Sequence, residues 1–342
     1  MLAFNLNDSY HQKHVVFTKR TFPEPIKLDI PIPAFQGPGN QYLLRLISET
    51  WVGVEITHPI SVDEIRMPEQ HTVYTDLFDL TPLPTTALQD DRYEKVFSRI
   101  ETFNPVQTQL FHILYHTNNP IFLGAPTGSG KTVIAELALL RMKKLHKDGI
   151  CIYIAPLKSL ARERLKEWRA RFGESSMNWN VLELSGDTHH NQKALQNADV
   201  LVCTPEKWDL ISRTWRGGIG AGKAFIKRVR LLVIDEIHLL GEERGAVLEA
   251  IVSRTRFISK FLENENKSKG NGGQSDRHET VRIVGLSTAI SNPQDLAHWI
   301  GIDVDSVSRT AKHGLYNFRP AIRPVPTKIH IQGYPGKHYC PR

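Results

Sequence analysis

The stretch "APTGSGKT", residues 125–132, combines small residues with a lysine and a threonine that could bind phosphate and magnesium. Glycines at two positions allow the backbone to turn so that its N–H groups point at one phosphate. Lys131 could reach the β- and γ-phosphates of ATP, and the Thr132 hydroxyl could be a ligand of Mg²⁺. The pattern predicts a triphosphate site formed by Pro126, Thr127, Gly128, Ser129, Gly130, Lys131 and Thr132.

Ala125 stands where the usual phosphate-loop pattern, G-x-x-x-x-G-K-[ST], has its first glycine. The departure is modest, because glycine at that position serves the turn rather than the chemistry. A glycine-rich turn with an incidental lysine is the alternative interpretation. The apolar run before the loop and the helical pattern after it favour the phosphate site, since a helix N-terminus offers free N–H groups and partial positive charge.

A pair of carboxylates follows a second apolar run in "RLLVIDEIHLLG", residues 230–241. A magnesium ion and an attacking water both need carboxylates at such a position. Asp235 fits the metal role, and Glu236 fits the role of orienting or deprotonating the water. With Lys131 they form the predicted catalytic set. A solvated strand end is the alternative for a lone Asp-Glu pair. His238 could couple these carboxylates to another domain, and we assign it to the nucleotide site, or it could simply pack.

The elements that must position these residues are parallel strands and helices. Apolar runs without alternation predict strands buried on both faces, at 121–124, 150–155, 180–184, 199–203, 230–234 and 282–287. Helical patterns lie between them at 131–146, 158–172 and 245–262. Strand–helix repetition of this kind predicts an α/β fold, a parallel sheet with helices on both faces.

The N-terminal part of the chain has a different pattern. Residues 1–76 hold short β-prone runs, among them "QYLLRLIS" and "WVGVEITHPISV", and predict part of an antiparallel β-sandwich. The Pro-rich segment 77–90 predicts a linker to an α/β domain over 91–310, followed by a connector over 311–342. Residues 263–280 contain no apolar residue, so we expect a disordered surface insertion there.

Composition is that of a globular protein of 342 residues, with 40% hydrophobic and 23% charged residues. The net charge of +7 permits nucleic-acid binding without arguing for it. Three cysteines without a CxxC pair support neither a disulfide framework nor a zinc site. No apolar run approaches the ~18 residues of a membrane span. We therefore expect an intracellular protein with no membrane contact, and both the nucleus and the cytosol remain open.

Taken together, "APTGSGKT", "DEIH" (235–238) and "STA" (287–289) resemble motifs I, II and III of superfamily 2 helicases of the DExH group. The segment "FNPVQTQ", 103–109, is similar to the upstream motif whose glutamine recognises adenine, which implies this role for Gln107. Longer stretches resemble the Ski-like helicases that carry two cassettes, and within them a second cassette. The resemblance implies a RecA-like lobe that binds ATP and Mg²⁺, preceded by the end of a fibronectin-like domain.

The resemblance also implies contacts with the backbone of single-stranded nucleic acid, DNA or RNA. Segments 155–164, 184–187 and 204–209 look like the nucleic-acid-facing motifs of such a lobe. The implied contact residues are Pro156, Lys158, Arg162, Ser185, Gly186, Thr204, Pro205 and Lys207. A solvated helix face is the alternative for the three cations among them. Ser287 and Thr288 would couple the nucleotide site to this surface.

In this family ATP lies between two lobes, and the second lobe supplies arginines that stabilise the γ-phosphate in the transition state. The sequence ends at Arg342, where the resemblance places the start of that second lobe. We therefore expect the isolated chain to bind ATP weakly and to hydrolyse it negligibly, and the full-length protein to work in a multi-protein complex. A truncated binding module without motor activity is the alternative. A kinase or GTPase is more remote, because no guanine-recognition motif or kinase lid is apparent.

Overall fold

The computed structural model describes residues 2–6, 12–15, 41–48, 52–61, 74–173, 176–184, 195–216, 222–241, 245–268, 280–303, 313–326, 328, 330 and 331. The chain divides into two compact units, Met1–His71 and Thr72–Arg342. The division falls just before the Pro-rich segment that the sequence marks as a linker.

The described part of the first unit is one antiparallel sheet. Its strands are β1 (Leu2–Leu6), β2 (Gln12–Val15), β3 (Gln41–Ser48) and β4 (Glu55–Ser61), in the order β2-β1-β3-β4. The two runs quoted above, "QYLLRLIS" and "WVGVEITHPISV", are β3 and the segment around β4, where the sequence predicts strands. A sandwich needs a second sheet, so the fibronectin-like assignment stays a prediction.

The described residues of the second unit include a seven-stranded parallel sheet in the order β11-β5-β10-β9-β6-β8-β7. Six of these strands coincide with the predicted apolar runs. The strands are β5 (Ile121–Gly124), β6 (Ile150–Ile154), β7 (Val181–Leu184), β8 (Val200–Cys203), β9 (Val229–Ile234), β10 (Arg282–Ser287) and β11 (Leu315–Asn317). Because β11 is part of the sheet, the α/β unit extends beyond residue 310, the boundary expected from the sequence.

Helices cover both faces of this sheet. The described helices are α1 (Asp91–Val96), α2 (Pro105–His116), α3 (Lys131–Leu145), α4 (Lys158–Phe172), α5 (Pro205–Ser212), α6 (Gly222–Lys227), α7 (Gly245–Ser268) and α8 (Pro293–Ile300). Two hydrophobic core clusters lie on the opposite faces of the sheet. In one, α1–α4 pack against strand residues such as Tyr153, and in the other α5–α8 pack against the strand residues that point the other way, such as Ile152. This is the RecA-like arrangement that the resemblance implies.

Helix α7 is longer than the sequence predicts. It continues to Ser268, so residues 263–268, expected to be disordered, are helical. Hydrophobic periodicity could not extend the helix through this polar stretch, although Glu and Lys favour helices without burying anything. Residues 269–279 lie outside the described residues.

Candidate functional site

The predicted phosphate loop connects the end of β5 to the start of α3. Gly128 and Gly130 have φ values of 85° and 83°, the left-handed region that glycine adopts without strain. The loop begins beside β10, where the Ala125 N–H donates to the Ser287 carbonyl at 2.9 Å. Ser129 is buried, and its hydroxyl oxygen has no hydrogen-bond partner among the described residues. The loop therefore has the left-handed turns and the buried start that a phosphate cradle needs.

Lys131 opens α3 and points its ammonium group back into the loop. Its Nζ donates to the carbonyl oxygens of Ala125 at 3.2 Å and Ser287 at 3.1 Å, and lies 3.8 Å from Glu236 Oε2. An ammonium group has three donors, and these carbonyl oxygens satisfy two of them. Phosphate oxygens are the acceptors that could replace the carbonyls.

Asp235 follows β9, and its carboxylate is fixed by two donors. The Tyr153 hydroxyl donates to Oδ2 at 2.6 Å, and the Glu236 backbone N–H donates to Oδ1 at 3.1 Å. Burial, and after it the nearby Asp235 carboxylate, raises the pKa of Tyr153 well above its ordinary value, so its hydroxyl remains a donor. Tyr153 was not among the residues predicted from the sequence. The sequence signal for it is a single phenol hydroxyl in "ICIYI", a strand that otherwise contains only isoleucine and cysteine.

Glu236 stands in a strained backbone position, with φ at 52°. Its buried Oε2 has no hydrogen-bond partner among the described residues but lies 3.4 Å from His238 Nδ1, besides the Lys131 contact. His238 Nδ1 in turn lies 3.5 Å from Ser287 Oγ and 3.5 Å from the Thr288 backbone nitrogen. Lys131, Glu236, His238 and Ser287 thus form a closed set of contacts, which we call the polar ring.

Gln107 braces the phosphate loop in this structure. It forms a capping box with Asn104 at the start of α2, and its Nε2 donates to the Gly130 carbonyl at 3.3 Å. Asn104 Nδ2 adds a hydrogen bond to the Ser129 carbonyl at 2.9 Å. Asn104 was not among the residues predicted from the sequence. Adenine recognition by Gln107 remains a prediction, and the observed partners of its side chain are Asn104 and the Gly130 carbonyl of the loop.

Of the eight residues expected to contact nucleic acid, six are described, and they follow the carboxyl ends of β6 and β8. Because the sheet is parallel, this edge is the one that carries the phosphate loop. Pro156 is buried before α4, Lys158 and Arg162 are exposed on α4, and Arg162 Nε lies 3.8 Å from Glu183 Oε1. Thr204 is the N-cap of α5, with buried Pro205 and half-buried Lys207 following it. Ser185 and Gly186 lie outside the described residues.

The donor set at this edge suits magnesium held jointly with phosphate. Within the described residues, no group of three or more His, Cys, Asp or Glu side chains could hold a metal ion. Mg²⁺ commonly takes one or two carboxylates, with substrate phosphates and waters completing its shell. The Asp235 carboxylate is a ligand of that kind, and the Thr132 hydroxyl, one residue after Lys131 in the chain, is a further oxygen donor, so these residue types fit the ion.

Comparison with known proteins finds helicases. The family described as DEAD/DEAH box helicase matches residues 104–296. The chain is 44% identical over 340 residues to activating signal cointegrator 1 complex subunit 3 of Danio rerio, covering 98% of this chain and 20% of that protein. It is 46% identical over 335 residues to the protein of that name from Homo sapiens, covering 97% of this chain and 14% of that protein.

A plant relative is the DExH-box ATP-dependent RNA helicase DExH14 of Arabidopsis thaliana. It is 43% identical over 334 residues, covering 97% of this chain and 14% of that protein. The chain spans between 14% and 20% of the length of these relatives. Among the described residues, no helix combines the length and the apolar character needed to cross a membrane.

Proposed function

Because this chain belongs to the DEAD/DEAH box helicase family, we propose that its α/β unit is the ATP-binding first lobe of a nucleic-acid-dependent ATPase and 3′-to-5′ helicase. The observation that carries the proposal is the polar ring. Four residues from three segments of the chain contact one another, through three side-chain pairs and the Ser287 carbonyl, at the end of the sheet where parallel strands place ligand sites.

Each residue of the nucleotide site has a distinct task in this proposal. Lys131 binds the β- and γ-phosphates by exchanging the Ala125 and Ser287 carbonyls for phosphate oxygens. Thr132 and Asp235 would hold Mg²⁺, which would supply positive charge to the phosphates. Glu236 orients the attacking water and accepts its proton, because its Oε2 makes no hydrogen bond within the described part of the chain and lies near Lys131 and His238.

The polar ring also offers a route from nucleotide to nucleic acid. When Lys131 releases the Ser287 carbonyl, the contacts of His238 with Ser287 and Thr288 lose one of their anchors. Lys158, Arg162 and Lys207 bind strand phosphates near that edge without reading bases, so DNA and RNA both fit. The name shared by the relatives from Danio rerio and Homo sapiens, that of a complex subunit, supports work within a multi-protein complex.

The test is equilibrium binding of Mg–ATP to the 342-residue chain, measured by calorimetry with and without Mg²⁺. We expect Lys131→Ala to weaken binding at least about tenfold, because each factor of ten needs only about 1.4 kcal/mol. Lys166→Ala is the matched control, since Lys166 is exposed on α4 and stands outside the site. Binding that is unchanged by Lys131→Ala would contradict the proposal.

A further inference from the structure

Residues 318–323, which we call the strap, return the chain to the phosphate loop after the last described strand. β11 pairs with β5 so that Asn317 lies opposite Gly124, the residue that precedes the loop. The Phe318 N–H then donates to the Gly124 carbonyl at 2.7 Å, and the Phe318 ring is fully buried. The strap is therefore anchored to the strand that carries the loop.

Asn317 fixes the register of this anchor. Its Oδ1 accepts a hydrogen bond from the Ile290 N–H at 3.2 Å, and its Nδ2 donates to the Ile290 carbonyl at 2.8 Å. A Cβ placed on Gly124 would collide with Asn317 Oδ1, so glycine is needed for this close approach. A short 3₁₀ turn, Pro320–Ile322, follows and is closed by the Ile322 N–H bonding to the Arg319 carbonyl at 3.1 Å.

The turn directs Arg323 to the phosphate loop. A Cβ placed on Gly128 would lie 3.2 Å from Arg323 Nε and 3.3 Å from Arg323 Nη2. The guanidinium group thus lies against the backbone of Gly128, one of the two left-handed glycines of the loop. Gly128 and Arg323 are both exposed, so an approaching ligand can reach this guanidinium.

We propose that Arg323 binds the phosphate chain of the nucleotide as a second cation beside Lys131, an inference that rests on the proposed ATP site. A guanidinium group presents a planar fork of donors that matches phosphate oxygens. Lys131 already faces Glu236, so much of its charge is balanced within the polar ring. Arg323 adds positive charge at the part of the loop that the ring does not reach.

The experiment compares ATP, ADP and AMP binding by calorimetry for the 342-residue chain and three variants, Arg323→Ala, Arg323→Lys and Arg319→Ala. Arg319 is the matched control, because it is an arginine of the same strap whose guanidinium carbon lies 5.4 Å from the Tyr74 ring centroid. Thermal unfolding of each variant checks that the strap remains in place.

We expect Arg323→Ala to weaken ATP binding about tenfold, the size of one charged hydrogen bond, and Arg319→Ala to change it less than about twofold. The loss should be greatest for ATP and smallest for AMP, and Arg323→Lys should recover part of it. An equal loss for all three nucleotides would assign Arg323 a packing role and overturn the inference. Tighter ATP binding by Arg323→Ala would also overturn it, as evidence that the arginine blocks the loop.

The two proposals fail in different ways. If the chain binds ATP and Lys131→Ala weakens binding while Arg323→Ala does not, only the role of Arg323 is refuted. If the unaltered chain shows no Mg–ATP binding, the ATP site itself is refuted and the inference falls with it.

Discussion

At the residue scale, the Asp235 carboxylate illustrates how the site is held ready. Each of its oxygens accepts one hydrogen bond, from the Tyr153 hydroxyl and from the Glu236 backbone. Tyr153 is itself fixed by burial and by edge-on contact with Trp168, with ring centroids 4.9 Å apart. A carboxylate oriented in this way loses little freedom when it binds a metal ion.

Replacing Tyr153 with phenylalanine should therefore weaken magnesium use without unfolding the protein. The ring contact with Trp168 remains, while Asp235 loses one of its two donors. We expect the Mg²⁺ concentration for half-maximal ATP binding to rise about tenfold, the lower end of effects seen for groups that orient metal ligands.

Tyr115→Phe is the matched control for this prediction. Tyr115 is also buried, and its hydroxyl donates to the Leu88 carbonyl at 2.9 Å, away from the site. A magnesium titration of ATP binding should separate the two variants. Equal magnesium requirements in both would show that Tyr153 does not position Asp235.

At the scale of elements, the phosphate loop is held by α2 as well as by the strand and helix that it joins. Asn104 and Gln107 reach from the first turn of α2 to the carbonyl oxygens of Ser129 and Gly130. These bonds use carbonyl oxygens and occupy none of the N–H groups of the loop, which are the groups that a phosphate needs. The capping box of α2 and the shape of the loop therefore depend on the same two side chains.

Gly130→Ala tests this dependence. Its Cβ would collide with Gln107 Nε2, and its φ of 83° is unfavourable for alanine. We expect the free energy of unfolding to fall by more than the roughly 1–2 kcal/mol that a left-handed residue costs. Chemical denaturation gives the unfolding value, and calorimetry the accompanying loss of ATP affinity.

Gly301→Ala separates backbone strain from collision. Gly301 has a φ of 102°, but its nearest neighbour, Arg256 Nε, lies 3.7 Å from an added Cβ, an ordinary contact distance. We expect this variant to show the backbone cost alone and to keep its ATP affinity. If Gly130→Ala and Gly301→Ala lower the free energy of unfolding equally, the contact of Gln107 with the loop contributes nothing to stability.

The sequence predicts most of the α/β unit because its signals are local. Buried parallel strands are uninterrupted apolar runs, and a phosphate loop is a run of small residues before a lysine. The assignment to superfamily 2 helicases is confirmed by the family match and the relatives. Strand β11 was missed because its three residues are too few to show a periodicity.

Contacts across the sheet were beyond the sequence for a different reason. Tyr153 meets Asp235 only because β6 lies next to β9, and Arg323 meets Gly128 only because β11 lies next to β5. Strand order is a property of the whole fold, and no stretch of the sequence encodes it alone. Residue types and local spacing therefore predict which residues form the site better than they predict which other residues contact them.

At the scale of the α/β unit, a buried ion pair joins the helix of the phosphate loop to the helix of the candidate nucleic-acid surface. Arg171 of α4 donates to both carboxylate oxygens of Glu136 in α3, at 2.5 Å and 2.9 Å. Trp168 Nε1 donates to the same carboxylate at 2.9 Å. Burial raises the pKa of Glu136, and Arg171 opposes this rise.

Arg171→Ala should destabilise the protein by about 3–5 kcal/mol, because it leaves a buried carboxylate without its counter-charge. Adding Glu136→Gln to this variant should recover part of the loss, since a neutral amide costs less to bury. Arg92→Ala is the control and should have a much smaller effect, because the Arg92–Asp90 pair is exposed. A small loss in Arg171→Ala by chemical denaturation would contradict this prediction.

The same pair gives a prediction for pH. In Arg171→Ala, the pKa of Glu136 in the folded protein is raised further above its unfolded value, so the folded state binds more protons than the unfolded state. Stability then falls as pH rises from the unfolded pKa through the folded one. We expect the deficit of Arg171→Ala to be smaller at about pH 5 than at about pH 8, measured by denaturation at both values. A deficit independent of pH would show that Glu136 is not the group responsible.

Nucleic-acid binding should respond to salt in proportion to the cations that contact the strand. Removing one phosphate contact, as in Lys158→Ala or Lys207→Ala, should reduce the slope of log affinity against log salt by about 0.7 for single strands. Lys166→Ala, on the same helix as Lys158, should leave the slope unchanged. Fluorescence anisotropy with labelled single-stranded DNA and RNA measures the affinity at each salt concentration. Equal slopes in all variants would show that the nucleic acid does not contact Lys158 or Lys207.

The position of β5 in the sheet has a consequence for how the protein is made. β5 lies between β10 and β11, two strands that are encoded far downstream of it. During synthesis the phosphate loop leaves the ribosome before both neighbours of its strand, which emerge only after residues 282–287 and 315–317 have been added. Pairings between such distant segments form slowly and leave apolar strands uncovered in the meantime. We therefore expect the nascent chain to be most prone to aggregation while β5, the first strand of the parallel sheet to be made, is without its partners.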